Sequence, residues 1–100
     1  GGDMDITEHE RQIVEEAGFE WVEPITVEGK SITGVIKNVS GETKSANISF
    51  ILYDESGYQI DTTLDSISNI KNGGSWKFEA VIFDLDNEVR SYELDYLHTY

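Results

Sequence analysis

Phe50-Ile51-Leu52-Tyr53-Asp54 runs directly into Glu55-Ser56-Gly57. The stretch reads as a strand that ends in a tight turn. Phe50 and Leu52 share a parity, so both point to one face of a sheet. Asp54 can hydrogen-bond its own backbone ahead, and Gly57 accepts a positive φ without steric cost. A hairpin partner is therefore expected to begin at Tyr58.

Working outward, the same period of two recurs. Ile32, Gly34 and Ile36 alternate with Ser31, Thr33 and Lys37. Ala46, Ile48, Phe50 and Leu52 alternate with Asn47 and Ser49. Trp76, Phe78 and Ala80 alternate with Lys77 and Glu79, and Tyr92, Leu94 and Tyr96 with Ser91, Glu93 and Asp95. Such alternation marks antiparallel sheets with one wet face. The spacing predicts strands over 19–27 (interrupted at Pro24), 31–38, 45–54, 58–64, 75–82 and 91–97. Residues 66–71 read as a connection carrying Ile67 and Ile70 as apolar pegs, and 84–88 as an acidic loop. About seven short strands with regular turn signals predict an all-β, two-sheet antiparallel sandwich.

Residues 1–18 read as an N-terminal extension and 19–100 as the sandwich domain. Residues 1–5 are polar and expected to be disordered. Thr7 and Glu10 have capping-box spacing, Ile6, Ile13, Val14 and Ala17 fall near one helical face, and Gly18 sits at a C-terminal cap position. A helix over 8–17 follows. Its apolar stripe is narrow, and Glu15 and Glu16 oppose the dipole at its end. Alone in water it is marginal, so it must dock on something to persist.

The totals bound the function. A chain of 100 residues is one domain, and 38% hydrophobic content supports one packed core. The net charge of −13 repels phosphates, so neither nucleic acid nor an anionic lipid surface is expected as a partner. Cysteine is absent, which removes disulfides, thiolate metal sites and thiol nucleophiles. No apolar run of about 18 residues occurs, so no membrane insertion is expected.

These residues carry a resemblance. The sequence is similar to FxLYD domains, whose motif stands here as Phe50-Ile51-Leu52-Tyr53-Asp54. Gly34-Val35-Ile36-Lys37-Asn38 resembles the preceding "G-x-V-K-N" strand of that family. Asn72-Gly73-Gly74-Ser75-Trp76-Lys77-Phe78 resembles its "P-G-E-x-W-x-F" turn and strand, with Asn72 in place of Pro and Ser75 in place of Glu. Ser91-Tyr92-Glu93-Leu94 resembles its final strand. The resemblance covers residues 25–97, and the helical extension is not part of the pattern. It implies an immunoglobulin-like fold, no catalytic residues, and an extracytoplasmic setting, either secreted or lipid-anchored at the cell envelope.

The candidate chemistry is sparse. His9 and His98 lie at opposite ends of the chain with no nucleophile motif beside them, and no G-x-S-x-G elbow occurs. No enzyme, catalytic residue or cofactor is expected. Asp84, Asp86, Asn87 and Glu88 offer oxygen ligands that Ca²⁺ would accept, but EF-hand spacing is missing and no metal site is assigned. Sequons stand at Asn38-Val39-Ser40 and Asn47-Ile48-Ser49. Val35, Ile51, Tyr53 and Val81 have parities opposite to the core. If their strands are neighbours they form an apolar patch, free for a partner or covered by Ile13, Val14 and Ala17 of the helix.

The expected function is a monomeric, non-enzymatic module for protein–protein interaction, with another envelope protein as partner, through that patch or a strand edge. A structural spacer in a larger or lipid-anchored surface protein is the first alternative. A carbohydrate- or calcium-binding accessory module is the second, with Phe83 beside Asp84 as its only hint.

Overall fold

The computed structural model describes residues 5–100. The expectation of disorder at the extreme N-terminus lies, for residues 1–4, outside the described residues. The elements run α1 (Glu8–Glu16), β1 (Phe19–Glu28), β2 (Ser31–Asn38), β3 (Lys44–Tyr53), β4 (Gln59–Ile70), β5 (Ser75–Val81) and β6 (Ser91–Thr99). The strands form two three-stranded sheets, ordered β1-β2-β5 and β4-β3-β6, with every neighbour antiparallel. The all-β, sandwich-like architecture is thus present.

The described residues form six strands, not seven. Residues 66–71, read as a connection, mostly belong to β4, which pairs with β3 from Tyr53↔Gln59 to Lys44↔Ile70. The strand survives there because it bulges: Asn69 takes φ 55°, and the Asn69 N–H donates to Ser45 Oγ at 3.1 Å. Ile70 is buried and Ile67 packs against the core. Pro24 likewise does not end β1. It sits on an edge strand, where a missing N–H costs nothing, within the register shift between Glu23 and Thr26.

The core is built by the alternation. Ile32, Ile36, Ile48, Phe50, Phe78 and Ala80 are fully buried between the sheets. Phe50 of one sheet meets Phe78 of the other with ring centroids 5.8 Å apart. Trp21 and Trp76 each approach Phe78 edge-on at 6.0 Å. Gly34 stands opposite Phe78 in the ladder, and a Cβ there would lie 2.6 Å from Phe78 Cζ. The missing side chain at Gly34 is the space the aromatic ring fills.

Parity fails once. Between Ser49↔Tyr96 and Phe50↔Leu94 the β3–β6 register shifts by one residue of β6. A bulge reverses the faces beyond it. Leu97 therefore enters the core, while Tyr96, expected inside with Leu94, is 43% exposed.

The turn after Tyr53 forms as its residues dictate. Asp54 Oδ1 accepts the backbone N–H groups of Ser56 and Tyr58, both at 2.9 Å. Gly57, at φ 87°, donates to the Asp54 carbonyl.

Helix α1 has its capping box: Thr7 Oγ1 accepts from Glu10 N, and Glu10 Oε1 accepts from Thr7 N. It packs on β1 and β6, the edge strands on one side of the sandwich. Val14 is fully buried in the shared core, with Ile13 and Ala17 packed beside it. One hydrogen bond ties the helix to each edge. Trp21 Nε1 of β1 donates to the Glu10 carbonyl at 3.1 Å. His9 Nε2 donates to the Leu94 carbonyl of β6 at 3.0 Å, which requires the proton on Nε2 because a carbonyl only accepts.

Candidate functional site

Most of the candidate groups of the sequence are taken up by the fold. His9 is bonded to backbone, and His98 stacks on Tyr100 with centroids 5.9 Å apart. Asn38 is fully buried. Its Nδ2 donates to the carbonyls of Glu42 at 2.7 Å and Ile70 at 3.0 Å, and its Oδ1 accepts from Ser40 N and Ser40 Oγ. The Asn38 sequon therefore has no free amide in the folded protein. Asn47 lies on a sheet face, where its Oδ1 accepts from Ser66 Oγ at 2.6 Å.

The apolar patch does not assemble. Val35 and Val81 lie on the outer face of β1-β2-β5, and Ile51 and Tyr53 on the outer face of β4-β3-β6. The outer faces of two packed sheets point away from each other, so shared parity does not make these residues neighbours. All of them are half-buried by their own cross-strand neighbours. Tyr53 donates its hydroxyl to Glu93 Oε1 at 3.0 Å, and that bond, followed by desolvation and nearby negative charge, raises the phenol above its ordinary value. Helix α1 covers neither group, because it lies across the opening between β1 and β6.

The loop over 82–90, between β5 and β6, is the exception. Asp84 organises it. Its Oδ1 accepts from Glu88 N at 2.8 Å and its Oδ2 from Val89 N at 3.0 Å, while its carbonyl accepts from Asn87 N. The bond from Glu88 is the main cause that holds the Asp84 carboxyl below its ordinary value; desolvation opposes it, and the Val89 bond, Lys30 and Arg90 assist. Arg90 donates through one guanidinium nitrogen to the carbonyls of Asn87 and Val89. Both ends are pinned: Ile82 N donates to the Lys30 carbonyl at 2.7 Å, and Arg90 N to the Tyr53 carbonyl at 2.8 Å.

Both Asp84 oxygens serve the loop itself, and no group of three or more His, Cys, Asp or Glu converges among the described residues.

What the loop does is hold apolar side chains in water. Phe83 is 80% exposed and Leu85 is 100% exposed. With Ile60, Asp61 and Val89 they line a shallow groove of about 240 Å³. Next to it, Asp54, Glu55, Asp86 and Glu88 line a second groove with Arg90. The other side of the loop faces a larger cleft of about 430 Å³, bounded by β1, the β1–β2 turn and the start of β6.

Phe83 is legible in the sequence beside Asp84, whereas nothing local marks Ile60, Lys30 or Arg90 as its neighbours. The available signal for Leu85 is Phe83-Asp84-Leu85-Asp86, an apolar–acidic alternation in a segment with no strand to bury it.

No protein-family model matches the chain, and no curated protein or solved structure gives a significant match.

Proposed function

We propose that the chain is a non-enzymatic, FxLYD-like binding module of the cell envelope that docks a basic, apolar-bearing protein segment through residues 82–90. The observation that carries this reading is the pair Phe83 and Leu85, 80% and 100% exposed on a loop with an internally bonded backbone. Exposed large apolar groups on an ordered loop lose little entropy on binding, which favours contact with a partner. The carboxylates of Asp54, Glu55, Asp61, Asp86 and Glu88 border them, so a cationic surface is the complementary one. The family resemblance supports the envelope setting and the absence of catalysis. The burial of Phe50 and Leu52 and the turn-forming bonds of Asp54 accord with the signature residues being structural.

Strand addition is the less favoured route to a partner. The edges of β1 and β6 are crossed by α1, Pro24 interrupts β1, and the β4 and β5 edges are bonded to each other through side chains.

The test is a calorimetric titration with two amphipathic peptides that share one leucine face, one bearing lysines and the other glutamates. The lysine peptide is expected to bind with an affinity that falls with salt, and the glutamate peptide is not. Phe83→Ser and Leu85→Ser should each weaken binding without moving the thermal melt. Binding that both variants retain in full, or no binding of the lysine peptide, overturns the proposal.

A further inference from the structure

We infer that the larger cleft, on the other side of the 82–90 loop, is a second binding site, for a small carboxylate that carries an apolar tail. Helix α1 fills only part of the opening between β1 and β6, where Trp21 and Leu94 receive it. Further along the same opening, Val27 of β1 and Tyr92 of β6 face a cleft of about 430 Å³. That volume lies in the range of small-molecule sites, roughly 300–1,000 Å³. Ile82 and Val89 complete its apolar lining, and both pack against the core, so the walls are part of the fold.

The rim has the opposite sign to the rest of the molecule. Lys30 and Arg90 both line the cleft, in a chain with 7 basic and 20 acidic residues. Asp84 lines it too and stays ionised, with both carboxylate oxygens turned to backbone N–H groups of the loop, so the rim carries one net positive charge. Lys30 is placed by the β1–β2 turn, and among the described residues its ammonium donates only to the Asp84 carbonyl, at a long 3.4 Å. Arg90 uses one of its terminal nitrogens on backbone carbonyls, which leaves donors of the guanidinium fork for a ligand. Two cations above an apolar lining select a headgroup with one negative charge and a chain that can enter below it. The bulk charge of −13 disfavours larger polyanions on approach.

The probes are octanoate below its micellar range, octylammonium, and acetate, each titrated into the uniformly ¹⁵N-labelled protein and followed by NMR. Octanoate should shift the amides of Val27, Ile82, Val89 and Tyr92 saturably, whereas octylammonium and acetate leave them in place. Lys30→Gln together with Arg90→Gln should weaken octanoate by about tenfold or more, the size expected for losing charged hydrogen bonds. Because Arg90 also supports the loop, Val27→Phe gives an independent arm. It fills the cleft from a half-exposed position and should abolish the octanoate shifts with the remaining spectrum intact. Octanoate shifts that match those of octylammonium, that persist in Val27→Phe, or that never saturate overturn the site. Phe83 and Leu85 line a different groove, so the serine variants there should leave octanoate binding unchanged.

Discussion

The Asp65 carboxylate of β4 accepts the backbone N–H of Glu79 in β5 at 2.8 Å, joining the edge strand of one sheet to the edge strand of the other. Two residues along, Thr63 Oγ1 donates to the Val81 carbonyl at 2.6 Å. Both side chains point inward from β4, where apolar groups would be the default, and they satisfy backbone groups on the free edge of β5. The sandwich is thus bonded shut on this side and plugged by α1 on the other. Asp65→Ala should cost about 1–2 kcal/mol, the usual worth of a hydrogen bond to a charged group near a surface. Urea unfolding measures the loss, and sedimentation should show self-association through the released edge.

Asn38 is a larger liability. Its amide joins the turn after β2 to the end of β4 through the Glu42 and Ile70 carbonyls. Asn38→Leu keeps the approximate volume but takes the Asn38 partner from the buried Ile70 carbonyl and from Ser40 N, and leaves the Glu42 carbonyl with Ser40 Oγ alone. An orphaned buried group costs about 1–3 kcal/mol, so with one buried and one part-buried group unpaired a loss of about 2–4 kcal/mol is expected. A fall in the urea midpoint at constant slope reads it; an unchanged midpoint would show that water replaces the amide.

Gly34→Ala tests the aromatic cluster. The new methyl would meet Phe78 at 2.6 and 3.0 Å and Trp21 at 3.3 Å. Overpacking of this kind costs about 1–3 kcal/mol. The near-ultraviolet circular dichroism of Trp21 and Trp76 should change in the same variant, because both rings touch Phe78.

Val14→Ala measures how far α1 belongs to the core. Two buried methyl groups and the cavity they leave amount to about 1.5–3 kcal/mol. If the helix and sheets unfold together, helical circular dichroism and Trp fluorescence should lose the same midpoint. Separate transitions would mean that α1 is an independent layer.

The loop over 82–90 should respond to acid. Asp84 has a lowered value in the folded protein, so its contribution is present above the unfolded value of about 3.9 and lost as pH falls through the folded one. Below about pH 4 the amides of Glu88 and Val89 should therefore move in an NMR titration, while those of the β3–β5 core stay. Asp84→Asn should show a disturbed loop already at neutral pH, since an amide offers one acceptor oxygen where the carboxylate uses two.

Local chemistry explains which features were readable. The Thr7–Glu10 capping box, the Asp54 and Gly57 turn and the alternation that buries Ile32, Phe50 and Phe78 are interactions between residues near in the chain, or periodicities intrinsic to a strand. The extension of β4 to Ile70 was not readable, because its pairing partner is Lys44, far away in sequence. Nor was the exchange of Tyr96 for Leu97 in the core, since a bulge appears only when two strands are laid side by side. The candidate groove was half legible: Phe83 stood out beside its acids, whereas Ile60 reaches it from another sheet.

By itself, the sequence determined an all-β chain with a capped helix in front, a strongly acidic surface without cysteine, and the faces of most strands. Those properties follow from side-chain type and from a period of two. The tertiary structure alone decided which strands share a sheet. It thereby placed Val35 and Tyr53 on opposite sides of the molecule, carried α1 across the opening between β1 and β6, and left Phe83 and Leu85 in water. Strand order is set by contacts between residues distant in the chain, and no local pattern records which of several similar edges will meet.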